Sequence, residues 1–354
     1  MDQKDFYKQL IQRYVSNQAT EEELEAFFHL ISSDQMDEEL KIFMDEEAAK
    51  VEVEQVKVRR LWPRIAVAAS VLIALSAGLY VALQHKQENI NIAKVDVLPG
   101  RNQATLTLGN GKQIVLTRNL TGKLAQQGNT SIGINSGAIA YQAGEPETTI
   151  QYNTLTTKRG EVSPYPLVLP DGSKVWLNAA SSITFPTAFN GRTRNVTVTG
   201  EAYLEIIHNQ KQPFTVKTAT HTIEDIGTEF DVKAYVDETA ATTLISGSVK
   251  VNETLLKPGE QVVSGSVQHV DIADVIAWKS GNFHFTDAKL SDILRQASRW
   301  YDVDITYENE SLKDKKFGAI TTRFAKASQL LHVLELTGEV KFKIEGKKIT
   351  VLNK

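Results

Sequence analysis

The sequence predicts a multidomain protein with a small all-α N-terminal bundle, one transmembrane helix, an all-β domain and a small α/β domain at the C-terminal end. Three observations predict this organisation. Apolar residues recur at helical spacing in the first 50 residues, and an uncharged apolar stretch follows at residues 65–83. Beyond that stretch, apolar and polar residues alternate with period two, until strand and helix patterns mix from about residue 278.

The N-terminal bundle is predicted from three apolar stripes. Thr20 and Glu23 have the spacing of a capping box, which fixes the start of the second helix. About 50 residues is a marginal size for an independent core, so a partner helix packed on the apolar edge would stabilise the bundle. A three-helix cap with a solvated acidic face is the other interpretation. The stripes are Phe6, Leu10, Ile11 and Tyr14, then Leu24, Phe27, Phe28 and Ile31, then Leu40, Phe43 and Met44.

Charge is distributed unevenly along the chain. Residues 1–54 hold five basic and fifteen acidic side chains, so their net charge is −10. The whole chain carries −4, which leaves +6 for the remaining 300 residues. An acidic helical segment indicates either a basic partner or a contribution to solubility.

The stretch Ile65 to Leu83 contains nineteen residues without a charged side chain. As a helix with a rise of ~1.5 Å per residue it would extend about 28 Å, close to the roughly 30 Å hydrocarbon core of a bilayer. Trp62 and Tyr80 lie near its ends, where aromatic side chains favour the interface. A cleaved signal peptide would begin close to Met1, and a buried core helix would be shorter. We therefore predict one helix in contact with membrane lipid.

The charges beside this helix predict its orientation. Four basic residues precede it and two follow it, so the positive-inside rule places the N-terminus in the cytoplasm. Arg59-Arg60 also has the form of a twin-arginine export signal. A basic juxtamembrane cluster explains the pair as well, and we favour that interpretation. The basic residues are Lys57, Arg59, Arg60 and Arg64 before the helix, and Lys86 and Lys94 after it.

Turn signals divide residues 94–272 into short predicted strands. Asn110-Gly111 and Asp171-Gly172 are dipeptides typical of tight hairpins. They lie in two similar segments, LTLGNGKQIVL from Leu106 and LVLPDGSKVWL from Leu167, which are 61 residues apart. Two copies are too few for a repeat array. They predict two equivalent hairpins within one β architecture.

The last part of the chain mixes strand and helix patterns. The order predicts two β-α-β units and a small α/β sandwich that forms a separate domain. The predicted strands are Phe283 to Phe285, Val303 to Tyr307, Phe317 to Thr321, Val340 to Ile344 and Lys348 to Leu352. The predicted helices are the one with apolar residues Leu290, Ile293, Leu294 and Ala297, and the one from about Lys326 to Leu336.

No catalytic or metal-binding pattern is found in the sequence. There is no cysteine, which excludes thiolate metal sites, disulfides and thiol catalysis, and the histidines include no i, i+4 pair. Phosphate-binding loops and the G-x-S-x-G nucleophile elbow do not occur. We predict no enzyme activity, no cofactor and no metal. Direct nucleic-acid binding is not predicted either, since no basic surface with interleaved aromatic residues occurs.

Six segments between Leu167 and Gln261 form a distinctive set: LVLPDGSKVWLNAASSITFPTAF, RNVTVTGEAYLEI, PFTVKT, IGTEFDVKAY, TTLISGSVKV and LKPGEQ. Together they resemble the FecR family, whose members are membrane-bound regulators of extracytoplasmic-function sigma factors. The preceding hairpin repeat is typical of Bacteroidetes-type members. RYVSNQATEEELEAFFHLI is similar to the family's sigma-binding segment, and the C-terminal α/β pattern resembles the secretin and TonB short N-terminal domain.

This resemblance implies that five segments of the chain have different roles. It implies that an extracytoplasmic-function sigma factor is bound and sequestered in the cytoplasm, with Leu24, Phe27, Phe28 and Ile31 as the sigma-binding residues. The signalling domain of an outer-membrane TonB-dependent transporter would contact the periplasmic part and cause release, which would control iron or glycan uptake genes. The segments are residues 1–55 (helical sigma-binding domain), 56–64 (basic juxtamembrane linker), 65–83 (transmembrane helix), 90–272 (periplasmic FecR-like β domain) and 278–354 (periplasmic α/β signalling receiver).

The resemblance also implies a possible reaction within the chain. Some members are cleaved at a Gly-Thr bond by an acyl shift from nitrogen to the threonine hydroxyl, and Gly227-Thr228 matches that position. A strand-entry turn, in which glycine supplies a positive φ and threonine begins the next strand, explains the same dipeptide.

A membrane-anchored periplasmic glycan-binding module is the alternative function. Trp176, Tyr203 and Trp278 could offer aromatic platforms to a saccharide. Burial within strands or between domains explains the same aromatic residues.

Overall fold

The computed structural model describes residues 3–15, 18–20, 23, 26, 30, 41–42, 96–142, 150–225 and 227–354. The chain divides into two compact units, Met1–Asn89 and Ile90–Lys354. No helix among these described residues is long and apolar enough to cross a membrane. The predicted membrane segment, residues 65–83, lies outside the described residues.

In the first unit, helix α1 spans Gln3–Val15. Leu10 and Ile11 are buried as the stripe predicts, but Phe6 is 42% exposed and Tyr7 is buried in its place, so the buried face begins one residue later than predicted. The predicted capping box is present: the Thr20 N–H donates to Glu23 Oε2 at 2.8 Å, and the Glu23 N–H donates to Thr20 Oγ1 at 3.4 Å. Because an N-cap satisfies orphan amides at a helix start, these contacts support a second helix start here.

The β-rich part of the second unit, which we call the β region, contains nineteen strands among its described residues. The first nine are β1 (Arg101–Thr107), β2 (Gln113–Thr117), β3 (Gly122–Gln127), β4 (Thr130–Asn135), β5 (Ala138–Gln142), β6 (Tyr152–Thr157), β7 (Glu161–Val162), β8 (Leu167–Val168) and β9 (Lys174–Leu177). The others are β10 (Ser181–Pro186), β11 (Arg194–Glu205), β12 (Phe214–Lys217), β13 (Thr222–Asp225), β14 (Glu229–Ala234), β15 (Ala241–Ser246), β16 (Val249–Val251), β17 (Thr254–Leu256), β18 (Glu260–Val263) and β19 (Ser266–His269).

Apart from β7, which pairs in parallel with the start of β1, these strands form two ladders that share β11. One runs β2-β1-β6-β10-β11-β12-β13-β16-β17, and the other β3-β4-β5-β8-β9-β11-β14-β15-β18-β19. Both ladders contribute apolar side chains to one core, for example Leu155 and Val198 from the first and Val175 and Phe230 from the second. The prediction of a large β-rich domain is confirmed.

Gly200 lies where β11 leaves the first ladder and enters the second. Its φ is +76°, and a Cβ atom there would lie 2.6 Å from the carbonyl oxygen of Ala180. Only glycine fits this combination of positive φ and close backbone approach. The glycine therefore lets one strand serve both ladders.

The two hairpins predicted from the sequence repeat have the same turn. The Leu108 N–H donates to Lys112 O at 2.9 Å, and the Leu169 N–H donates to Ser173 O at 2.8 Å. The turn glycines Gly111 and Gly172 have φ of +83° and +88°. The predicted equivalence of the hairpins is confirmed at the level of hydrogen bonds.

The last part of the second unit, which we call the C-terminal region, follows a short linker. The linker contains helix α2 (Ile272–Ile276) and a 3-10 helix (Ala277–Ser280). The region consists of β20 (Asn282–Lys289), α3 (Leu290–Tyr301), β21 (Asp304–Tyr307), a 3-10 helix (Glu310–Asp314), β22 (Lys316–Thr322), α4 (Ala327–Glu335), β23 (Val340–Glu345) and β24 (Lys348–Asn353).

The predicted α/β order of the C-terminal region is confirmed, but its strands pair differently from simple β-α-β units. β20 pairs with β22, whereas β21 pairs with β24 in a separate sheet with β23. The two strands that flank α3 are therefore in different sheets. The predicted stripe of α3 is buried, and Trp300 is the largest fully buried side chain of this core.

Candidate functional site

The second half of β11 is buried on both faces, unlike the first half. Residues 194–199 alternate between buried and exposed, whereas residues 200–204 are all buried. Ala202 and Leu204 contribute to the β core, so Glu201 and Tyr203 point to the opposite face of the ladder. An antiparallel sheet commonly leaves such a polar face to solvent. Here the linker and the C-terminal region cover it.

Lys279, in the linker, anchors this contact by its charge. Its Nζ lies 4.0 Å from the ring centre of Trp176 and 3.8 Å from that of Tyr203. It also donates to Glu205 Oε1 at 3.0 Å. A cation between two aromatic faces and a carboxylate is stabilised by both, so the ammonium fixes the linker against β9 and β11.

Two carboxyl groups are buried under this contact. Glu201 Oε2 accepts a hydrogen bond from Asn178 Nδ2 at 2.5 Å, and Asp231 Oδ1 accepts one from Trp278 Nε1 at 3.3 Å. Burial raises the pKa of both carboxyl groups, and the charge of Glu201 raises the pKa of Asp231 further. Lys233, opposite Glu201 in the ladder, partly opposes both shifts.

A second charged contact joins α3 to the loop between β14 and β15. Arg299 Nη2 lies 2.7 Å from Asp237 Oδ1, and its Nη1 lies 2.7 Å from Glu238 Oε1. Its guanidinium carbon lies 3.6 Å from the ring centre of Tyr235. Arg299 and Glu238 are both almost fully buried, so this ion pair fixes the orientation of α3.

Arg323 lies buried between aromatic rings of the C-terminal region. Its guanidinium carbon is 4.5 Å from the ring centre of Trp300 and 5.3 Å from that of Phe283. Burial lowers the pKa of Arg323 to about 10, and the nearby carboxylate of Glu201 opposes that shift. A cavity of about 300 Å³ beside it is bordered by Trp176 of the β region and Trp300 of the C-terminal region, so it lies between the two regions.

The predicted Gly227-Thr228 bond lies in a turn directly before β14. The Thr228 hydroxyl donates to Asp225 Oδ1, and Thr228 is 5% exposed. Gly227 has a φ of +152°, and a Cβ atom there would lie 2.5 Å from Cβ of His208. A hydroxyl on a buried carboxylate is the pairing that activates a nucleophile. The same glycine also fits the strand-entry turn, so the geometry accommodates both interpretations.

The three aromatic residues predicted as saccharide platforms do not form an open surface for a ligand. Tyr203 and Trp278 are buried, and the ammonium of Lys279 covers Trp176. The aromatic residues therefore belong to the contact between the two regions.

Within residues 96–142, 150–225 and 227–354 and the described N-terminal residues, no group of three metal-ligating side chains occurs. The predicted sigma-binding residues Leu24, Phe27, Phe28 and Ile31 lie outside the described residues.

The charged residues of the contact were not predicted from the sequence. Glu201 and Asp231 occupy period-two positions that normally face solvent, so their pattern alone indicates an exposed face. The one available signal is the density of aromatic residues near them, Trp176, Tyr203 and Trp278. An aromatic cluster on a polar sheet face is typical of a covered surface.

Comparison with protein families assigns both regions. Residues 152–250 match the FecR protein family, and residues 282–351 match the family described as FecR, C-terminal. The chain is a member of the FecR family. The first match covers much of the β region, and the second covers nearly all of the C-terminal region. The charged contact described above thus joins the two FecR modules.

Two crystal structures, at 1.65 and 2.50 Å resolution, are similar in fold to part of this chain. Both are of a "putative anti-sigma factor" from Parabacteroides distasonis ATCC 8503, with TM-scores of 0.52 and 0.53. Each is 24% identical, and the match covers 57% of this chain and 99% of the other. None of the curated proteins compared with the chain matches it.

Proposed function

We propose that the protein is a transmembrane anti-sigma factor that regulates nutrient uptake genes. The observation that carries the proposal is the order of its parts: an acidic segment with apolar residues at helical spacing, an apolar stretch at residues 65–83, and then the two FecR modules. Residues 1–55 would hold an extracytoplasmic-function sigma factor in the cytoplasm. The β and C-terminal regions would lie in the periplasm.

The charge of the N-terminal segment supports its role as a competitor of DNA. Sigma factors present basic surfaces to DNA, and residues 1–54 carry a net charge of −10. Complementary charge accelerates association and excludes wrong partners, while buried apolar side chains supply most of the affinity. Leu24, Phe27, Phe28 and Ile31 are the apolar residues we assign to that contact.

The C-terminal region would receive the signal from the signalling domain of an outer-membrane TonB-dependent transporter. Its contact with the β region is rich in charges and aromatic residues, as in contacts that separate reversibly. A contact of this kind suits a receiver whose position changes when a partner binds. The sigma factor would then be released.

Full-length protein tests the cytoplasmic half of this proposal. The double variant Leu24→Ala with Phe28→Ala should weaken co-purification of an extracytoplasmic-function sigma factor that the wild type captures by at least about tenfold, because two apolar anchors of the proposed contact are lost. Leu255→Ala is the matched control, since this exposed leucine lies in the β region. Equal capture by the double variant and the control would reject the assigned contact.

Cysteine mapping tests the predicted orientation. The chain has no cysteine, so Ile42→Cys and Leu255→Cys each introduce a single reporter at an exposed position. A membrane-impermeant maleimide should label Leu255→Cys in cells with a permeable outer membrane, and Ile42→Cys only after lysis. Labelling of both variants before lysis would contradict a single crossing with the N-terminus in the cytoplasm.

The hydrogen bond between Thr228 and Asp225 favours self-cleavage as a second candidate function. The Thr228 oxygen would attack the Gly227 carbonyl carbon while Asp225 accepts the hydroxyl proton. The C–N bond would break as Asp225 passes this proton to the leaving nitrogen, which leaves an ester between the two residues and a free amine on Thr228. Water would then hydrolyse the ester to a carboxylic acid on Gly227 and a hydroxyl on Thr228.

Mass measurement of the purified chain distinguishes cleavage from a simple turn. If cleavage occurs, the wild type should give two fragments that meet at residues 227 and 228, Thr228→Ala one chain, and Thr228→Ser two fragments. Thr218→Ala, a turn threonine whose hydroxyl bonds within its own loop, should leave cleavage unchanged. A single intact wild-type chain would leave only the strand-entry turn.

A further inference from the structure

Residues Asp96–Gly100, which we call the strap, lie directly before β1 and contact the C-terminal region more than 200 residues further along the chain. Val97 packs against the core of that region. The Val97 carbonyl accepts a hydrogen bond from the Ala327 N–H at 3.0 Å. The strap is therefore held by the C-terminal region before the chain enters the β region.

The strap supplies the N-terminal cap of α4. Lys326 stands at the N-cap position and offers no side-chain hydrogen bond. Asp96 takes this role: its Oδ2 accepts from Ser328 Oγ at 2.6 Å, and its Oδ1 accepts from the Ser328 N–H at 3.3 Å. The first amides of a helix need acceptors, and a carboxylate there also interacts favourably with the helix dipole.

The other end of the strap lies against the core of the C-terminal region. A Cβ atom on Gly100 would lie 2.7 Å from two ring carbons and from the carbonyl oxygen of Trp300. Directly after it, the Arg101 N–H donates to Gly160 O at 2.8 Å, and the Gly160 N–H donates to Arg299 O at 2.7 Å. The C-terminal end of the strap therefore contacts α3, and its N-terminal end contacts the start of α4.

We propose that the strap is the device through which the C-terminal region controls the chain that leads to the predicted membrane helix. α4 and Trp300 hold the strap while the C-terminal region is docked. A partner that displaces either element removes the acceptors of α4 and frees the strap. Because this coupling is reciprocal, tension on the strap also loosens α4. The link to sigma release rests on the proposed function, whereas the contact itself does not.

Hydrogen exchange of the full chain in a membrane mimetic tests the contact. The Ala327 and Ser328 amides bond to the strap, so their exchange reports its docking. Gly100→Ala adds a methyl group where Trp300 leaves no room, and exchange at both amides should rise by about tenfold. Gly318→Ala is the matched control, because its Cβ atom would lie no closer than 3.5 Å to any neighbour.

A milder pair of variants protects this test against misfolding. Asp96→Ala removes the cap without a clash, and exchange of the Ser328 amide should rise by about fivefold, the ratio expected for a lost N-cap. Asn309→Ala removes a cap of the same kind from the Ser311 N–H, away from the strap. It should leave the Ser328 amide unchanged. Unchanged exchange in both Gly100→Ala and Asp96→Ala would overturn the proposal.

A sigma-dependent reporter in cells tests the coupling. Gly100→Ala and Asp96→Ala should raise output without inducer, several-fold above Gly318→Ala and Asn309→Ala. A chain without residues 1–55 tests the proposed function separately. If that deletion raises output and the strap variants do not, the strap does not transmit the signal. If the deletion leaves output unchanged, the proposed function fails, and the exchange experiment still decides the contact.

Discussion

Strand β11 takes part in both the interior of the β region and its contact with the C-terminal region. On the inner face, Ala202 and Leu204 are fully buried among aliphatic and aromatic side chains. On the outer face, Glu201 and Tyr203 are buried almost as completely, but beside Lys279, Trp278 and other polar or charged groups. The two faces of this strand are thus covered by different side chains, apolar on the inner face and charged or aromatic on the outer face.

This difference in chemistry gives the inner face and the outer contact different roles. Apolar burial is proportional to area and has little directional preference, so the inner face supplies stability. Charges and cation–π pairs depend on geometry and solvent, so the outer contact specifies one docked arrangement. Such a contact also responds to pH and to competing partners. This combination suits a stable β region that carries a displaceable receiver.

The largest expected effect tests whether the C-terminal core can be lost separately. Trp300→Ala should lower the free energy of unfolding of the C-terminal region by about 3–5 kcal/mol, because a fully buried aromatic side chain is removed. Denaturant titration with hydrogen exchange should show that the β region stays protected. Phe324→Ala, at a half-exposed neighbouring ring, is the control with a small effect. Simultaneous unfolding of both regions would show that the C-terminal region does not unfold separately from the β region.

Arg299→Met tests the buried ion pair. The substitution leaves the Glu238 carboxylate buried with only the more distant cations Lys233 and Arg295. The free energy of unfolding should therefore fall by roughly 3 kcal/mol. Thermal unfolding measures this loss. Lys343→Met breaks an exposed pair with Glu345 and should cost less than about 1 kcal/mol. Equal effects of the two substitutions would show that burial does not strengthen the Arg299 contact.

Lys279→Met tests the aromatic sandwich at the linker. The substitution keeps the length of the side chain but removes its charge, so docking should weaken by about 1–2 kcal/mol. Lys279→Arg should restore most of the loss, because the guanidinium also binds aromatic faces and carboxylates. Quenching of the tryptophan fluorescence by a soluble quencher reports the opening of this contact, because Trp176 and Trp278, two of the four tryptophans, lie in it. Equal quenching in all three proteins would exclude a role for the charge.

The subtlest effect concerns pH. Burial raises the pKa of Glu201 in the folded state, so the folded state retains its proton to higher pH than the unfolded chain does. Stability should therefore fall as pH rises from about 4.3, the ordinary glutamate value, through the raised pKa. Glu201→Gln should flatten this dependence and stabilise the protein at neutral pH, as thermal unfolding across pH 4 to 8 would measure.

Glu224→Gln on β13 is the matched control for the pH experiment, because Glu224 is exposed. It should leave the pH dependence as in the wild type. A pH profile of Glu201→Gln that coincides with the wild type would place the pH-sensitive group elsewhere in the contact, with Asp231 as the next residue to replace.

Local signals in the sequence predicted the elements and their turns well. The Asn110-Gly111 and Asp171-Gly172 turns, the Thr20 and Glu23 capping box and the α3 stripe all depend on residues close together in the chain. Strand pairing in the C-terminal region was predicted less well, because a β-α-β order does not state which sheet each strand joins. The contact residues were missed because period-two polarity is the same for an exposed face and for a covered polar face.

The sequence by itself determined the β-rich middle, the α/β end and the membership of the FecR family, because periodicity, turn dipeptides and local motifs are properties of neighbouring residues. Only the tertiary structure decided that Lys279 lies between Trp176 and Tyr203, and that Arg299 meets Glu238. It alone placed Asp96 at the start of α4. Each of these contacts joins residues separated by more than 50 positions, and no local pattern specifies such a pairing.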